Sequence, residues 1–244
     1  MTPKNKNIKW TSAEPVIKYL QEIAQQKNLA GMARYGIRTE KALGTSIPKL
    51  RQLAKEIGIN HQLAKELWKT EIHEARILAC FIDYPMEVSE AQMEDWVKDF
   101  NSWDLCDQCC NNFFAKTVFA RQKAIEWANS KEEFIKRAGF VMMAVLAVHD
   151  KKADDGLFQN FLEHIYEGAT DERNFVKKAV NWALRQIGKR NLSLNKEAIQ
   201  TAKNIQNLDA KSAKWIAADA LRELSDEKVL NRINRKRGRN DKTM

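Results

Sequence analysis

Glycine and proline are scarce in this chain, with nine and four copies among 244 residues. A β-sandwich or a β-barrel needs many turn residues, and these are missing here. Residues that favour helices, such as alanine, leucine, lysine and glutamate, are abundant instead. The composition therefore predicts an all-α protein, and the chain is long enough to bury a substantial core.

Cysteine is also sparse, and its placement excludes a disulfide framework. Three of the four cysteines, Cys106, Cys109 and Cys110, lie within five residues of one another. The sequence has no second cysteine pair that would complete a four-ligand zinc site. We therefore expect small buried thiols in a reduced setting. Nothing in the sequence points to a metal or to an organic cofactor.

Long apolar runs are missing as well. The first ten residues lack the apolar core of a signal peptide. The longest uncharged apolar stretch, residues 138–148, is too short to span a bilayer. These absences predict a cytoplasmic protein without a membrane partner, associated with the nucleoid if the source is bacterial. We also expect a monomer.

Positive charge is the main excess, with a net charge of +9 and a pI near 9.3. A basic protein of this kind usually has an anionic partner, and nucleic acid is the commonest one. A ribosome-associated or merely basic protein is the alternative. From Arg232 onward, six basic residues and one acidic residue carry +5 of this charge. We predict one helical-repeat domain over residues 1–234 and a basic, disordered tail over residues 235–244.

Apolar residues recur at helical spacing along almost the whole chain. The connections are short, which favours antiparallel packing of successive helices. Lys136-Arg-Ala138 recurs 41 residues later as Lys177-Lys-Ala179, a spacing typical of HEAT or armadillo repeats. We therefore predict a curved array of antiparallel helix pairs. The predicted helices are 12–27, 29–37, 47–57, 60–69, 71–83, 89–99, 102–117, 119–129, 131–148, 154–168, 172–189, 195–206, 210–224 and 226–236.

A cationic stripe containing one tryptophan marks the predicted helix 172–189. Lys178, Trp182, Arg185 and Lys189 fall on one face, roughly opposite the apolar stripe. Such a face suits DNA, because cations engage phosphates while an indole packs on a sugar or a base. Alternatively, a neighbouring helix covers this face and Trp182 belongs to the core.

A second candidate site lies at the start of the predicted helix 102–117. Trp103 and Asp107 are spaced i and i+4, so they share one helix face. A carboxylate placed beside an aromatic ring can stabilise developing positive charge or align a water molecule. The simpler alternative is an acidic residue that stabilises the first turn of a helix, which is very common.

Arg137 opens a helix whose later residues are almost all apolar. A buried arginine needs an anionic partner, which is either a protein carboxylate or a phosphate. A solvated first turn is the alternative, and the sequence leaves both open.

Three segments together resemble the AlkD-like DNA alkylation-repair glycosylases, from about Tyr35 to Leu224. Tyr35 is followed by Leu43-Gly-Thr-Ser-Ile-Pro-Lys-Leu-Arg51, which is similar to the family's tyrosine and L-G-x-x-x-P-x-x-R segment. Residues 103–107 match its W-D-x-x-D motif, and residues 175–185 match its F-x-x-K-A-x-x-W-x-L-R segment.

The resemblance implies a stack of HEAT-like helix pairs that binds alkylated duplex DNA and excises 3-methyladenine or 7-methylguanine. It implies that Asp107 is the catalytic carboxylate, and that Trp103 and Trp182 pack around the deoxyribose of the lesion. It also implies that Arg137 contacts a phosphate beside the lesion and that Tyr35 lies near the same site.

Two other functions fit the same sequence. One is a binder of damaged or branched DNA that has the scaffold without the chemistry. The other is a protein-interaction scaffold, which is a common role of helical repeats. The carboxylate and the two indoles favour the enzyme, because only these residues argue for chemistry rather than for binding.

Overall fold

The computed structural model describes residues 10–240. Helices are the only regular elements in this part of the chain, so the predicted all-α class is confirmed. The chain divides into two compact units, one ending at Thr117 and the other beginning at Val118. The first unit contains α1 (Ala13–Glu22), α2 (Leu29–Arg34), α3 (Ile47–Ile57), α4 (His61–Lys69), α5 (His73–Ile82), α6 (Glu90–Lys98) and α7 (Trp103–Asn112). The second contains α8 (Ala120–Ala128), α9 (Glu133–His149), α10 (Asp155–Gly168), α11 (Asn174–Gly188), α12 (Leu192–Gln206), α13 (Lys211–Leu224) and α14 (Glu227–Asn240).

Side-chain caps fix several of the helix starts. Asn60, Ser89, Asp154 and Asn191 each accept a hydrogen bond from the backbone N–H three residues further on. Such a cap satisfies one of the donors that the first helical turn leaves unpaired. These polar residues therefore set where α4, α6, α10 and α12 begin.

In the first unit, α5 is the central helix and packs against α3, α4 and α7. Beside it, the indoles of Trp68 and Trp96 stack with their centroids 4.0 Å apart. The Asp99 carboxylate accepts hydrogen bonds from Trp68 Nε1 at 2.8 Å and from Arg76 Nη2 at 2.9 Å. A single carboxylate thus ties α4 and α5 to the end of α6.

The loop before α3 is held by a buried carboxylate. Glu74, which is 1% exposed, accepts hydrogen bonds from the backbone N–H groups of Leu43, Gly44 and Thr45. Gly44 has a φ of +75°, and a Cβ there would lie 2.3 Å from the carbonyl oxygen of Gln25. Only glycine fits this turn without strain. This explains the glycine of the L-G-x-x-x-P-x-x-R segment, which leads directly into α3.

In the second unit, α9 is buried along most of its length and packs against α8 and α11. Gly139 allows a close approach, because a Cβ there would lie 2.2 Å from the backbone nitrogen of Ala128. Further along the chain, Ile233 of α14 is 3% exposed, and α14 contacts α12 and α13.

The predicted disordered tail is wrong over residues 235–240, because α14 continues to Asn240. Arginine and lysine favour helices, and burial of Ile233 anchors the preceding turns. The rest of the predicted tail, residues 241–244, lies outside the described residues. The single domain over residues 1–234 stays a prediction. Within residues 10–240, every helix is too short or too polar to cross a membrane.

Candidate functional site

The N-terminus of α7 carries the first group of predicted site residues. Trp103 is the first residue of the helix and is half-buried, and its indole Nε1 donates a hydrogen bond to the Tyr35 carbonyl oxygen at 2.9 Å. The side chain of Tyr35 itself is exposed, with 70% of its surface accessible. The structure therefore brings the backbone of Tyr35 and the indole of Trp103 together, and the role of Tyr35 at the site stays a prediction.

Asp107 lies one helical turn after Trp103 and is also half-buried. Its neighbours in sequence include Cys106 and Cys110, both fully buried. Burial raises the pKa of the Cys110 thiol, and the nearby Asp107 charge adds to that effect. A thiol of this kind stays protonated, so it is a poor nucleophile and a small apolar neighbour for the carboxylate. The predicted burial of the thiols is confirmed, because Cys80 and Cys109 are buried as well.

The first carboxylate of the W-D-x-x-D motif has a different environment. Asp104 Oδ2 lies 2.8 Å from His73 Nε2, and both side chains are largely buried. Burial alone would lower the pKa of His73, but the hydrogen bond and charge of Asp104 outweigh it and raise this pKa. Burial alone would raise the pKa of Asp104, but His73 outweighs it and lowers this pKa. The His73–Asp104 pair ties the start of α5 to the start of α7.

The sequence did not single out His73. It stands 31 residues before Asp104, and no local pattern relates two residues at that separation. Only the packing of α5 against α7 brings them together. The pair therefore gives Asp104 a partner within the first unit.

The second group of predicted residues lies on α11. Lys178 is exposed, and Trp182 is half-buried, so this indole is neither a core residue nor fully accessible. Arg185 Nη1 and Lys189 Nζ both donate to Glu223 of α13, the lysine at 2.6 Å. Two of the three cations of the predicted stripe therefore pair with α13, where Asp219 also lies 3.4 Å from Arg185.

Arg137 is 5% exposed and donates a hydrogen bond from Nη1 to the Phe175 carbonyl oxygen at 2.7 Å. It therefore joins α9 to the start of α11, and its contact with a DNA phosphate stays a prediction. The adjacent Lys136 pairs with Asp171 at 3.2 Å. Burial would raise the pKa of Asp171, but hydrogen bonds from Arg173 and Lys136 lower it to about 2.

An exposed tryptophan on α13 was missed by the sequence reasoning. Trp215 has 42% of its surface accessible, and Lys177 Nζ lies 5.5 Å from its ring centroid. The signal was present, because Trp215 directly follows Lys214 in the sequence. An exposed indole beside lysines is a second place where the second unit could contact a base or a sugar.

The predicted residues thus form two groups, one in each unit, and the fold that carries them has a known counterpart. The chain is similar to a solved structure described as belonging to a new family of proteins related to the HEAT-like repeat DNA glycosylases with affinity for branched DNA structures. The TM-score is 0.74 and the identity is 20%, over 88% of this chain and 96% of that chain. This likeness confirms the predicted HEAT-like repeat fold.

The family follows from the sequence itself. The model of the family described as DNA alkylation repair enzyme matches residues 16–224, and the chain belongs to that family. No curated protein matches the chain.

Proposed function

We propose that this protein is a DNA glycosylase that hydrolyses the N-glycosidic bond of cationic alkylated purines in duplex DNA. The observation that carries the proposal is the position of Asp107. Its carboxylate is half-buried one turn from the half-buried Trp103, on a helix that begins at a fixed point. The N-terminus of this helix is held in place by the hydrogen bond from Trp103 to Tyr35 and by the His73–Asp104 pair.

One carboxylate is enough for this reaction. An alkylated purine already carries a positive charge, so it leaves as a neutral base and needs no general acid. Ordinary glycoside hydrolysis uses two carboxyl groups, one of which protonates the leaving group. Here Asp107 would stabilise the positive charge that develops on the sugar and align the attacking water. The C–N bond breaks, a C–O bond forms to the water oxygen, and the water proton passes to the carboxylate.

Indole rings would add to this stabilisation. The face of an indole attracts a cation, and the sugar becomes cationic in the transition state. We propose this role for both Trp103 and Trp182. Exposed Lys178 would pair with a DNA phosphate. Arg137, Arg185 and Lys189 would make weaker phosphate contacts, because each must first exchange its present hydrogen bond to a protein group.

Base release from methylated duplex DNA tests the proposal directly. The wild-type protein should release 3-methyladenine or 7-methylguanine, identified by mass spectrometry, and Asp107→Asn should not. Asp95→Asn is a matched control, because this exposed carboxylate pairs only with Lys98 on the same helix among the described ion pairs. Release by Asp107→Asn at the wild-type rate would show that another group performs the reaction.

A second candidate is a DNA-binding protein without glycosylase activity. The similar structure favours it, because its description names affinity for branched DNA. Under this proposal, the wild-type protein binds a four-way junction more tightly than a linear duplex and releases no base. Asp107→Asn would then bind the junction as well as the wild type does.

A further inference from the structure

A pocket of about 380 Å³ lies in the first unit, beside α3, α5 and the end of α7. This volume falls within the range of sites that bind small molecules. Its charged lining residues are Arg51, Lys55 and Lys116, and its lining contains no carboxylate. No residue of this pocket has a role in the excision chemistry proposed above.

The three cations are unneutralised. Within residues 10–240, none of Arg51, Lys55 and Lys116 takes part in an ion pair. Partial burial lowers the pKa of Lys116, and the positive charge of Arg51 lowers it further. Three cations that repel one another around a pocket favour an anionic ligand.

Arg51 is held in place by neutral groups. Its Nη1 donates to Asn112 Oδ1 at 3.1 Å, and its Nη2 donates to Gln108 Oε1 at 3.3 Å. Its guanidinium carbon lies 4.5 Å from the centroid of the Phe81 ring. These contacts orient the side chain without cancelling its charge. A guanidinium has five N–H donors, so further donors remain for a phosphate.

The pocket also has an apolar part. Ile59 has 64% of its surface accessible, although it is a large aliphatic residue, and half-buried Phe81 lies in the same pocket. Inorganic phosphate would gain nothing from these groups. A nucleotide would use both parts, because its phosphate meets the cations and its flat base covers the apolar side chains.

We propose that this pocket binds one unpaired nucleotide of the DNA strand, with the phosphate at Arg51, Lys55 and Lys116 and the base against Ile59 and Phe81. A base within a duplex is stacked on both faces, so only an unpaired nucleotide can offer its base to these side chains. The choice of DNA rests on the proposed function. Asn112 of the pocket follows Asp107 by five residues on α7, which is a rise of about 7.5 Å along the helix axis.

Undamaged DNA tests this pocket separately from base excision. We would measure binding by fluorescence anisotropy to a forked duplex with two unpaired arms and to the same duplex fully paired. The wild type should prefer the fork by about tenfold, as expected for one additional stacked base and its phosphate contacts. Arg51→Gln with Lys116→Gln should reduce that preference to less than twofold.

The matched control is Lys27→Gln with Lys69→Gln, which removes the same charge at two exposed lysines that do not line the pocket. This control should weaken binding to both DNAs equally and keep the preference. A wild-type protein that binds both DNAs equally would overturn the proposal, as would a pocket variant that retains the preference. Base release is measured in a separate assay. A protein that releases no base and still shows a pocket-dependent preference for the fork would therefore refute only the glycosylase.

The two parts of the pocket can also be separated. Binding of thymidine monophosphate and of inorganic phosphate would be compared by NMR, using the wild type and Ile59→Ser. Ile59 is exposed, so this change should leave the fold intact. It should weaken binding of the nucleotide and leave binding of phosphate unchanged. Equal binding of both ligands by the wild type would show that the apolar side chains take no part and would overturn the proposal.

Discussion

The cations of α11 and the cations of the α3 pocket differ in what surrounds them. On α11, Arg185 and Lys189 share the carboxylate of Glu223, which the neighbouring helix supplies. In the α3 pocket, Arg51 is held by two side-chain amide oxygens and an aromatic ring. The first arrangement joins two helices, whereas the second leaves positive charge available to a ligand.

This difference shows why the position of a charge in a sequence does not reveal its use. The stripe on α11 is conspicuous because its members recur at helical spacing beside a tryptophan. Its neutralisation depends on Glu223, which lies 38 residues beyond Arg185 on another helix. Arg51 and Lys116 are far apart in sequence, and only tertiary packing places them in one pocket. Four experiments would break or sharpen this comparison.

The largest effect is expected from Gly44→Ala, which breaks the loop that leads into α3 and Arg51. The new Cβ meets the Gln25 carbonyl at 2.3 Å, and its backbone conformation is unfavourable for alanine. We expect the free energy of unfolding to fall by about 3 kcal/mol, measured by urea denaturation. Gly31→Ala is the control, because it places its Cβ in open space on α2 and should not destabilise the protein. Equal stability of the two variants would contradict the role of the loop.

The next effect concerns the salt dependence of DNA binding. Arg51→Gln with Lys116→Gln should weaken binding to the forked duplex about tenfold. It should also reduce the slope of log K against log salt by about one for each phosphate that is no longer neutralised. Arg185→Gln with Lys189→Gln should change the slope much less, because both cations already have a carboxylate partner. A larger change of slope in the α11 variant would reverse the comparison between the two sets of cations.

A smaller gain is expected from Glu223→Gln. Burial would raise the pKa of Glu223, but Lys189 and Arg185 lower it, so its carboxylate is ionised at neutral pH. Removing that charge makes more of the positive charge of Lys189 and Arg185 available to phosphate, although Arg185 keeps the Asp219 carboxylate 3.4 Å away. DNA affinity should therefore rise about threefold at low salt. Glu197→Gln, on α12, gives the same change of charge at a residue without an ion pair among the described residues. An equal rise in both variants would mean that only the net charge matters.

The smallest effect is the pH dependence contributed by His73 and Asp104. Since the pKa of His73 is raised on folding, its contribution to stability is present below pH 6.5 and is lost as pH rises through the raised pKa. Since the pKa of Asp104 is lowered, its contribution is present above pH 3.8 and is lost as pH falls through the lowered pKa. Stability to urea should therefore decline more from pH 6 to pH 8 in the wild type than in His73→Gln. Parallel curves would contradict a charged pair.

The helical repeat, by contrast, could be predicted from local pattern alone. Apolar spacing predicted fourteen helices, and the structure has fourteen α-helices within the described residues. The observed α7 is shorter than the predicted helix 102–117. It ends at Asn112, and a separate 3-10 turn covers residues 114–116. Helix ends depend on caps and tertiary contacts, which makes them harder to predict than the helices themselves.

Within the candidate site, the sequence predicted the tryptophan and the carboxylate on one face of α7. It could not predict how the two carboxylates of that motif divide their roles, because His73 comes from α5. It also could not predict that Glu74 holds the loop at Gly44, since the two residues are 30 positions apart. Contacts between residues about 30 positions apart follow from the packing of helices, and the pattern of a single sequence does not show them.

In the proposed mechanism, Asp107 performs the chemistry whereas Asp104 holds the helix in place. We would measure single-turnover base release from methylated DNA by Asp107→Asn and by Asp104→Asn, together with the thermal stability of each. Asp107→Asn should lose about 100-fold or more in rate with little change in melting temperature. Asp104→Asn should melt at a lower temperature and lose less than tenfold in rate while folded. Full activity in Asp107→Asn, or a larger loss of rate in Asp104→Asn, would contradict this division.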